Sequence, residues 1–220
     1  MNIAGREVEW FPELDSTMLE ARRDLRPGRV IVADRQTAGM GRHGRVWLSP
    51  AGEGLYVSIV LGVPPAPVLS LALGLAAVAA IGAGDLRWPN DVLLGGRKVA
   101  GVLAQSEQNR VIAGIGINVL QREFPDGLDT PATSLAMEGI ETTREALLER
   151  LIEAVDRCVA LPSEEIVRRF TAASSMVSGR RVTADGIVGV TCGLDASGFL
   201  RVRDDNGTER TILAGGVRPV

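Results

Sequence analysis

The sequence predicts a chain in two unequal parts: helices mixed with strands over residues 1–175, then a small β-barrel docked on them over 176–220. Three observations predict it. Apolar runs of strand length alternate with amphipathic or wholly apolar helical stretches through the first part. From Gly179 onward the composition shifts to short strand-like runs separated by turn dipeptides, Asp185-Gly186, Ser197-Gly198 and Asn206-Gly207, the last being the strongest hairpin signal. A unit of that size has little room for a core of its own, so it must lean on the first part.

The elements follow in order. Thr17 with Glu20 three residues on fits a capping box, so a helix should open there and run towards Leu25. Val30 to Ala33 reads as a buried strand, and the β-branched run Leu55 to Val63 as a second. Val68 to Gly84 is the one stretch apolar enough to raise a membrane question. It is short for a span, rich in Ala and Gly and preceded by Pro64, Pro65 and Pro67, so a buried core helix is the better reading. Val92 to Leu94, the pair Gly95-Gly96 and Val99 to Gln105 make a hairpin. Val111 to Leu120 is another strand, with Gly114 and Gly116 where something approaches the backbone closely. Thr142 with Glu145 caps a helix to about Leu161, and a further helix spans Ser163 to Ala173.

Composition narrows the function classes. The chain has 220 residues, 45% hydrophobic and 23% charged, which suits a soluble globular protein. A formal net charge of -3 argues against a life on nucleic acid. Cys158 and Cys192 form no metal or disulfide spacing, which points to a reducing, cytoplasmic compartment and to both as small buried hydrophobes. Met1 to Arg6 lacks the basic end and apolar run of a secretory signal, and no membrane partner is expected.

The most informative segment is Gly39-Met40-Gly41-Arg42-His43-Gly44-Arg45, followed by Val46-Trp47-Leu48-Ser49-Pro50. Its glycines match G-x-G-x-x-G, but that fingerprint needs a helix immediately after the loop, and here Pro50 and a strand pattern follow. What the loop offers is backbone freedom beside two guanidinium groups, Arg42 and Arg45, able to grip carboxylate or phosphate oxygens. A solvated basic turn is an equal reading of the loop alone.

Three more pieces stand downstream: Arg87-Trp88-Pro89-Asn90-Asp91-Val92, Gly96-Arg97-Lys98-Val99-Ala100-Gly101-Val102, and Gly114-Ile115-Gly116-Ile117-Asn118. Singly, each reads as a strand end, a turn or a solvated lysine. Together and in order with Asp15-Ser16-Thr17 and Gln36 to Pro50, they closely resemble the biotin–protein ligase family over nearly the whole chain.

The resemblance implies an α+β catalytic domain, a mixed sheet backed by helices and related to class II aminoacyl-tRNA synthetases, with an SH3-like C-terminal barrel. It implies activation of biotin by ATP and Mg²⁺ to biotinyl-5'-AMP, then transfer to a lysine of a biotin carboxyl carrier protein. Lys98 and Arg42 then act at the biotin carboxylate and the α-phosphate, and Asp91 orients or deprotonates the incoming amine. Ser16, Thr17, Gln36, Gly39, Gly41, Arg42, Lys98 and Gly101 match the biotin-binding positions. Arg42, Arg45, Trp47, Asn90, Lys98 and Asn118 match those near the nucleotide. Metal ligands are not assigned. Thr17 is expected both to cap its helix and to face the ligand.

The sequence departs from the family motif at Met18, where asparagine is usual, and at Met40, where arginine is usual; both bear on how tightly biotin and its adenylate are held. Many relatives carry an N-terminal winged helix; here the ligand motif begins at Asp15, so the monofunctional form without DNA binding is expected. A lipoate–protein ligase and a non-catalytic biotin-binding module are the rival readings. Edge-to-edge pairing into a homodimer is open.

Overall fold

Strand alternation decides the layering. A computed structural model describes residues 1–220 and contains one eight-stranded mixed sheet and one five-stranded antiparallel sheet. The large sheet is built from β1 (Asn2–Ile3), β2 (Arg6–Leu14), β3 (Val30–Gln36), β4 (Gly54–Leu61), β5 (Asp85–Arg87), β6 (Asp91–Leu94), β7 (Arg97–Glu107) and β8 (Arg110–Asn118), in the order β1-β2-β3-β4-β8-β7-β6-β5. Only β2 and β3 run parallel, and the chain crosses between them through α1 (Thr17–Ala21).

Every residue of β4 is buried, because the sheet is covered on both faces there. Leu55, Val57, Ile59 and Leu61 point into the main core with Val111, Ala113, Ile115 and Ile117 of β8. On that face lies α2 (Leu69–Ile81), flanked by α3 (Arg144–Val159) and α4 (Ser163–Ala172). The opposite face carries a smaller cluster of Met18, Ala21, Ile31, Val60 and Ile112 beneath α1. The α2 helix is buried almost all round, as its Leu/Ala sequence requires. It stops at Gly82, whose φ of 86° is a left-handed cap that donates to the Val78 carbonyl at 2.9 Å. No helix is long and apolar enough to cross a membrane.

The second sheet is formed by β9 (Ser178–Ala184), β10 (Ile187–Leu194), β11 (Leu200–Asp204), β12 (Glu209–Ile212) and β13 (Val217–Pro219), ordered β12-β11-β10-β9-β13. The three expected turn dipeptides sit in its hairpin loops, and Asp185 and Gly186 both take positive φ. Its Val182, Leu200, Val202 and Ile212 belong to the same cluster as Leu73 and Val155, so this unit has no separate core. Gly198 rests on Leu71, where a Cβ would approach the Leu71 Cδ1 to 2.6 Å, and its carbonyl accepts from Trp88 Nε1 at 2.9 Å.

Several expectations need correcting. The α1 cap is Ser16, not Thr17: extended at φ -158°, it accepts the Met18 N–H at 3.2 Å, and the helix ends at Ala21. The Thr17 N–H is taken by Gln36 instead, so Thr17 is already inside the helix. The α3 cap is Thr143, whose Oγ1 accepts from the Ala146 N–H at 3.1 Å, one residue beyond the expected Thr142. Strands β2 and β5 had no clear pattern, the first because charged residues and Pro12 interrupt it, the second because it is three residues long. Neither cysteine is fully buried. Cys158 packs half-buried on the core, which pushes its thiol up, and Cys192 donates to the Val190 carbonyl at 3.4 Å.

Candidate active site

A cavity of about 390 Å³ opens between the start of α1, the glycine–arginine loop, the β6–β7 hairpin and the C-terminal sheet. Its position follows from the strand register. Gly101 of β7 pairs with Gly116 of β8, and Gly116 and Gly114 pair with Tyr56 and Ser58 of β4. Glycines across neighbouring strands leave a trough in the sheet face, and two side chains fill it. The Trp47 indole lies against Gly116 and Gly101, and Met18 sulfur would be 2.6 Å from a Cβ at Gly114. The expected close approach at Gly114 and Gly116 is therefore made by Met18 and Trp47. The indole N–H of Trp47 is buried and has no hydrogen-bond partner.

The glycine–arginine loop is not a helix N-terminus. Met40 and Val46 form an antiparallel bridge, closed by Gly41 N–H to the Arg45 carbonyl at 2.7 Å and Trp47 N–H to the Gly39 carbonyl at 2.9 Å. A single 3₁₀ turn, Arg42–Gly44, makes the tip, where His43 takes φ 55°. Chain reversal through the tip aims Arg42 inward and carries Trp47 back to the sheet.

One end of the cavity is neutral and polar. Gln36 Oε1 accepts from Thr17 N–H at 2.8 Å and from Thr17 Oγ1 at 3.1 Å, and Gln36 Nε2 donates to Ser49 Oγ at 2.9 Å. Ser49 in turn donates to the Trp47 carbonyl at 3.1 Å. Ser16 Oγ spends a lone pair on its cap and keeps its proton to donate. Ser16 and Thr17 are both buried.

The other end is charged. Asp91 uses both oxygens on cations: Oδ1 faces Lys98 Nζ at 2.6 Å, and Oδ2 accepts from Arg87 Nη2, which also donates to Thr130 Oγ1 at 2.6 Å. Lys98 Nζ stands 5.3 Å from the Trp47 ring centroid, within cation–π range. Arg42 Nη1 donates to Asn90 Oδ1 at 3.1 Å and to the Gly215 carbonyl at 2.9 Å. Burial pulls this guanidinium below its ordinary value; Asp91 opposes the shift and Arg45 adds to it. Arg45 and Arg218 share Asp129 at 3.2 and 2.7 Å. Two anions brought together here would meet Lys98, Arg42, Arg45 and Arg218.

Of the residues singled out in the sequence, Ser16, Thr17, Gln36, Gly41, Arg42, Arg45, Trp47, Asn90, Asp91, Lys98 and Gly101 line this cavity. Gly39 and Asn118 do not. Gly39 lies under the loop, where a Cβ would come within 2.9 Å of Ser49 Oγ. Asn118 is buried and its amide is spent on backbone: Nδ2 donates to the Thr133 carbonyl at 2.9 Å and reaches that of Lys98 at 3.5 Å. It anchors the β7 end that bears Lys98. Sequence reasoning assigned nothing to Arg87, although it adjoins the Trp88 motif. Asp129, Thr130, Gly215 and Arg218 carried no local signal and Asp185 signalled only its turn; folding alone brings them to the cavity.

Comparison with known proteins matches this geometry. A sequence profile described as the biotin/lipoate A/B protein ligase family covers residues 10–121, which hold Ser16, Thr17 and Gln36, the glycine–arginine loop and the β6–β7 hairpin. A biotin–[acetyl-CoA-carboxylase] ligase of Mycobacterium tuberculosis is 34% identical over 198 residues, covering 82% of this chain and 71% of that protein. The bifunctional ligase/repressor BirA of Bacillus spizizenii is 40% identical over 149 residues, which are 60% of this chain and 46% of the relative. The match therefore spans about half the length of the Bacillus relatives, 46% of one and 53% of the other. The biotin protein ligase from Aquifex aeolicus, solved in complex with biotin and ATP, superposes with a TM-score of 0.86 at 31% identity, covering 97% of this chain and 99% of that one. With a profile over half of its length and a relative 34% identical across 82% of it, the chain belongs to the biotin/lipoate A/B protein ligase family.

Proposed function

We propose that the chain is a biotin–protein ligase that converts biotin and ATP to biotinyl-5'-AMP and diphosphate, then passes the biotinyl group to a lysine of a biotin carboxyl carrier protein. The observation that carries this reading is one cavity with a neutral polar end and a cationic end that holds Lys98. A cyclic urea needs donors for its carbonyl and acceptors for its N–H groups. Ser16 and the second Gln36 amide hydrogen supply the donors, and a lone pair of Thr17 Oγ1 supplies an acceptor. The apolar remainder of biotin packs on the Trp47 and Met18 side chains that fill the glycine trough.

In the first step a biotin carboxylate oxygen attacks the α-phosphorus and diphosphate leaves. Lys98 turns from Asp91 to the two reacting anions, and Arg42 covers the same phosphoryl oxygens. Arg87 keeps the Asp91 charge paired meanwhile. In the second step a neutral lysine amine attacks the acyl carbon and AMP leaves. Asp91 orients the amine or takes its proton.

Cavity carboxylates Asp129 and Asp185 offer oxygen donors, yet no group of three acidic, histidine or cysteine side chains forms a metal cage. A Mg²⁺ held at these carboxylates would neutralise phosphate charge. The same reading takes residues 1–175 as the catalytic domain, related to class II aminoacyl-tRNA synthetases, and 176–220 as an SH3-like barrel. It includes a cytoplasmic location and leaves monomer and edge-paired homodimer to a sizing experiment.

The test is the full chain with ATP, Mg²⁺ and labelled biotin or lipoate, with a carrier domain as acceptor. Label on the carrier from biotin supports the reading. Lipoate transfer alone, or adenylate formation without transfer, overturns it.

A further inference from the structure

We propose that Ser58, outside the cavity lining, is a positioning residue that sets the hydrogen-bond polarity of the head-group pocket; this rests on the biotin reading above. Ser58 is fully buried, at 0% exposure, in the middle of the otherwise apolar strand Leu55 to Leu61. A buried hydroxyl is costly unless it finds a partner, and an alanine or valine would suit this strand without one. The partner it has is Thr17 Oγ1, at 2.8 Å across the sheet face.

The direction of each proton in this chain follows from one backbone group. The Thr17 N–H can only donate, and it points at Gln36 Oε1. That orients the amide with its oxygen towards Thr17 and its nitrogen towards Ser49. The Thr17 hydroxyl, facing the same oxygen at 3.1 Å, must therefore donate to it. Its proton is then committed, so the Ser58–Thr17 contact is made by the Ser58 proton. One Thr17 lone pair accepts it, and the other is left to accept from an N–H in the cavity. Ser58, Thr17 and Gln36 thus form a one-way chain that presents an acceptor beside an amide donor. That pattern complements a head group with N–H next to C=O, and it offers nothing to a dithiolane. Register makes the contact possible: Ser58 is opposite Gly114 and on the same face as Val60, beneath α1.

The test is calorimetric binding of biotin to the full chain, with single-turnover adenylation alongside. Ser58→Ala should weaken biotin by about three- to tenfold, the scale of one hydrogen bond. Its adenylation rate at saturating biotin should stay within about twofold, since Lys98 and Arg42 are untouched. Ser58→Cys, of similar shape but a poor donor, should match it and carries the test if the alanine variant folds badly. The decisive measurement is the pair with Thr17→Val: if Ser58 acts through Thr17, adding Ser58→Ala to Thr17→Val costs nothing further. Unchanged biotin affinity in both Ser58 variants, or losses that multiply in the double variant, would overturn the role of Ser58 alone. Wild-type affinity in Thr17→Val would overturn the head-group assignment itself.

Discussion

Lys98 and Asp91 face each other across the β6–β7 hairpin, Nζ to Oδ1 at 2.6 Å, and Arg87 holds the second Asp91 oxygen. The lysine is thus parked on a carboxylate that can spare it. Removing it strands no buried charge, so stability and chemistry should separate.

Lys98→Met is expected to melt close to wild type, because Arg87 still pairs Asp91. Single-turnover formation of biotinyl-adenylate should fall on the order of a hundredfold or more, the scale of one lost transition-state donor. Lys98→Arg should recover only part of it, since a planar guanidinium cannot occupy the same point between two anions. Wild-type adenylation in Lys98→Met would remove the lysine from the mechanism.

Arg42 reaches both Asn90 and the Gly215 carbonyl, so it ties the loop to the C-terminal sheet as well as facing the cavity. Arg42→Ala should weaken biotin and adenylate binding by roughly 1.5–3 kcal/mol, the range for a charge-assisted contact. Equilibrium binding measures it, with the melting curve as control. Near-normal affinity would contradict the assignment.

Gly116 has no room for a side chain: a Cβ there would come within 2.5 Å of Trp47 Nε1 and 2.8 Å of its Cζ2. Gly116→Ala should therefore lift the indole from the sheet and away from Lys98. The expected signs are a change in tryptophan emission and weaker adenylation with the melting temperature nearly kept. Unaltered emission and rate would mean that the trough does not set the Trp47 position.

Met18 and Met40, the two departures from the family motif, meet in the same small apolar cluster. Met40→Arg should slow adenylate release by about tenfold through an added charge-assisted contact. It should also destabilise the protein, since an arginine head group replaces a partly buried methionine packed against the small apolar cluster. Off-rate and melting temperature check the two halves independently.

Glu9 pairs with Arg29, whose side chain is only 8% exposed, and the Arg29 hydrogen bond holds the Glu9 carboxyl below its ordinary value against the opposing effect of burial. A depressed carboxylate stabilises the fold above its unfolded value and loses that contribution as pH falls through its folded value. Glu9→Gln should lower stability at neutral pH by about 1 kcal/mol, allowing for solvent screening. It should also flatten the decline in acid. Parallel melting curves from pH 7 to 3 would refute this.

Strands β3, β4 and β8, the α2 and α4 spans, the β6–β7 hairpin and the late turn dipeptides were legible in the sequence. Each rests on local periodicity or on backbone conformations that few residues accept. Motif order likewise marked Lys98, Arg42, Asp91, Thr17 and Gln36, and the fold gathers all five at one cavity. Tertiary structure alone decided three things. It turned Asn118 and Gly39 away from the cavity, since neighbouring backbone claims the amide of one and the space beside the other. It brought Arg218, Gly215 and Asp185 from the last forty residues to the cationic end, a contact between segments far apart in sequence that leaves no local pattern. And it put Ser58 under Thr17, because a strand's face, and so the partner of a buried hydroxyl, is set only when neighbouring strands fix the register.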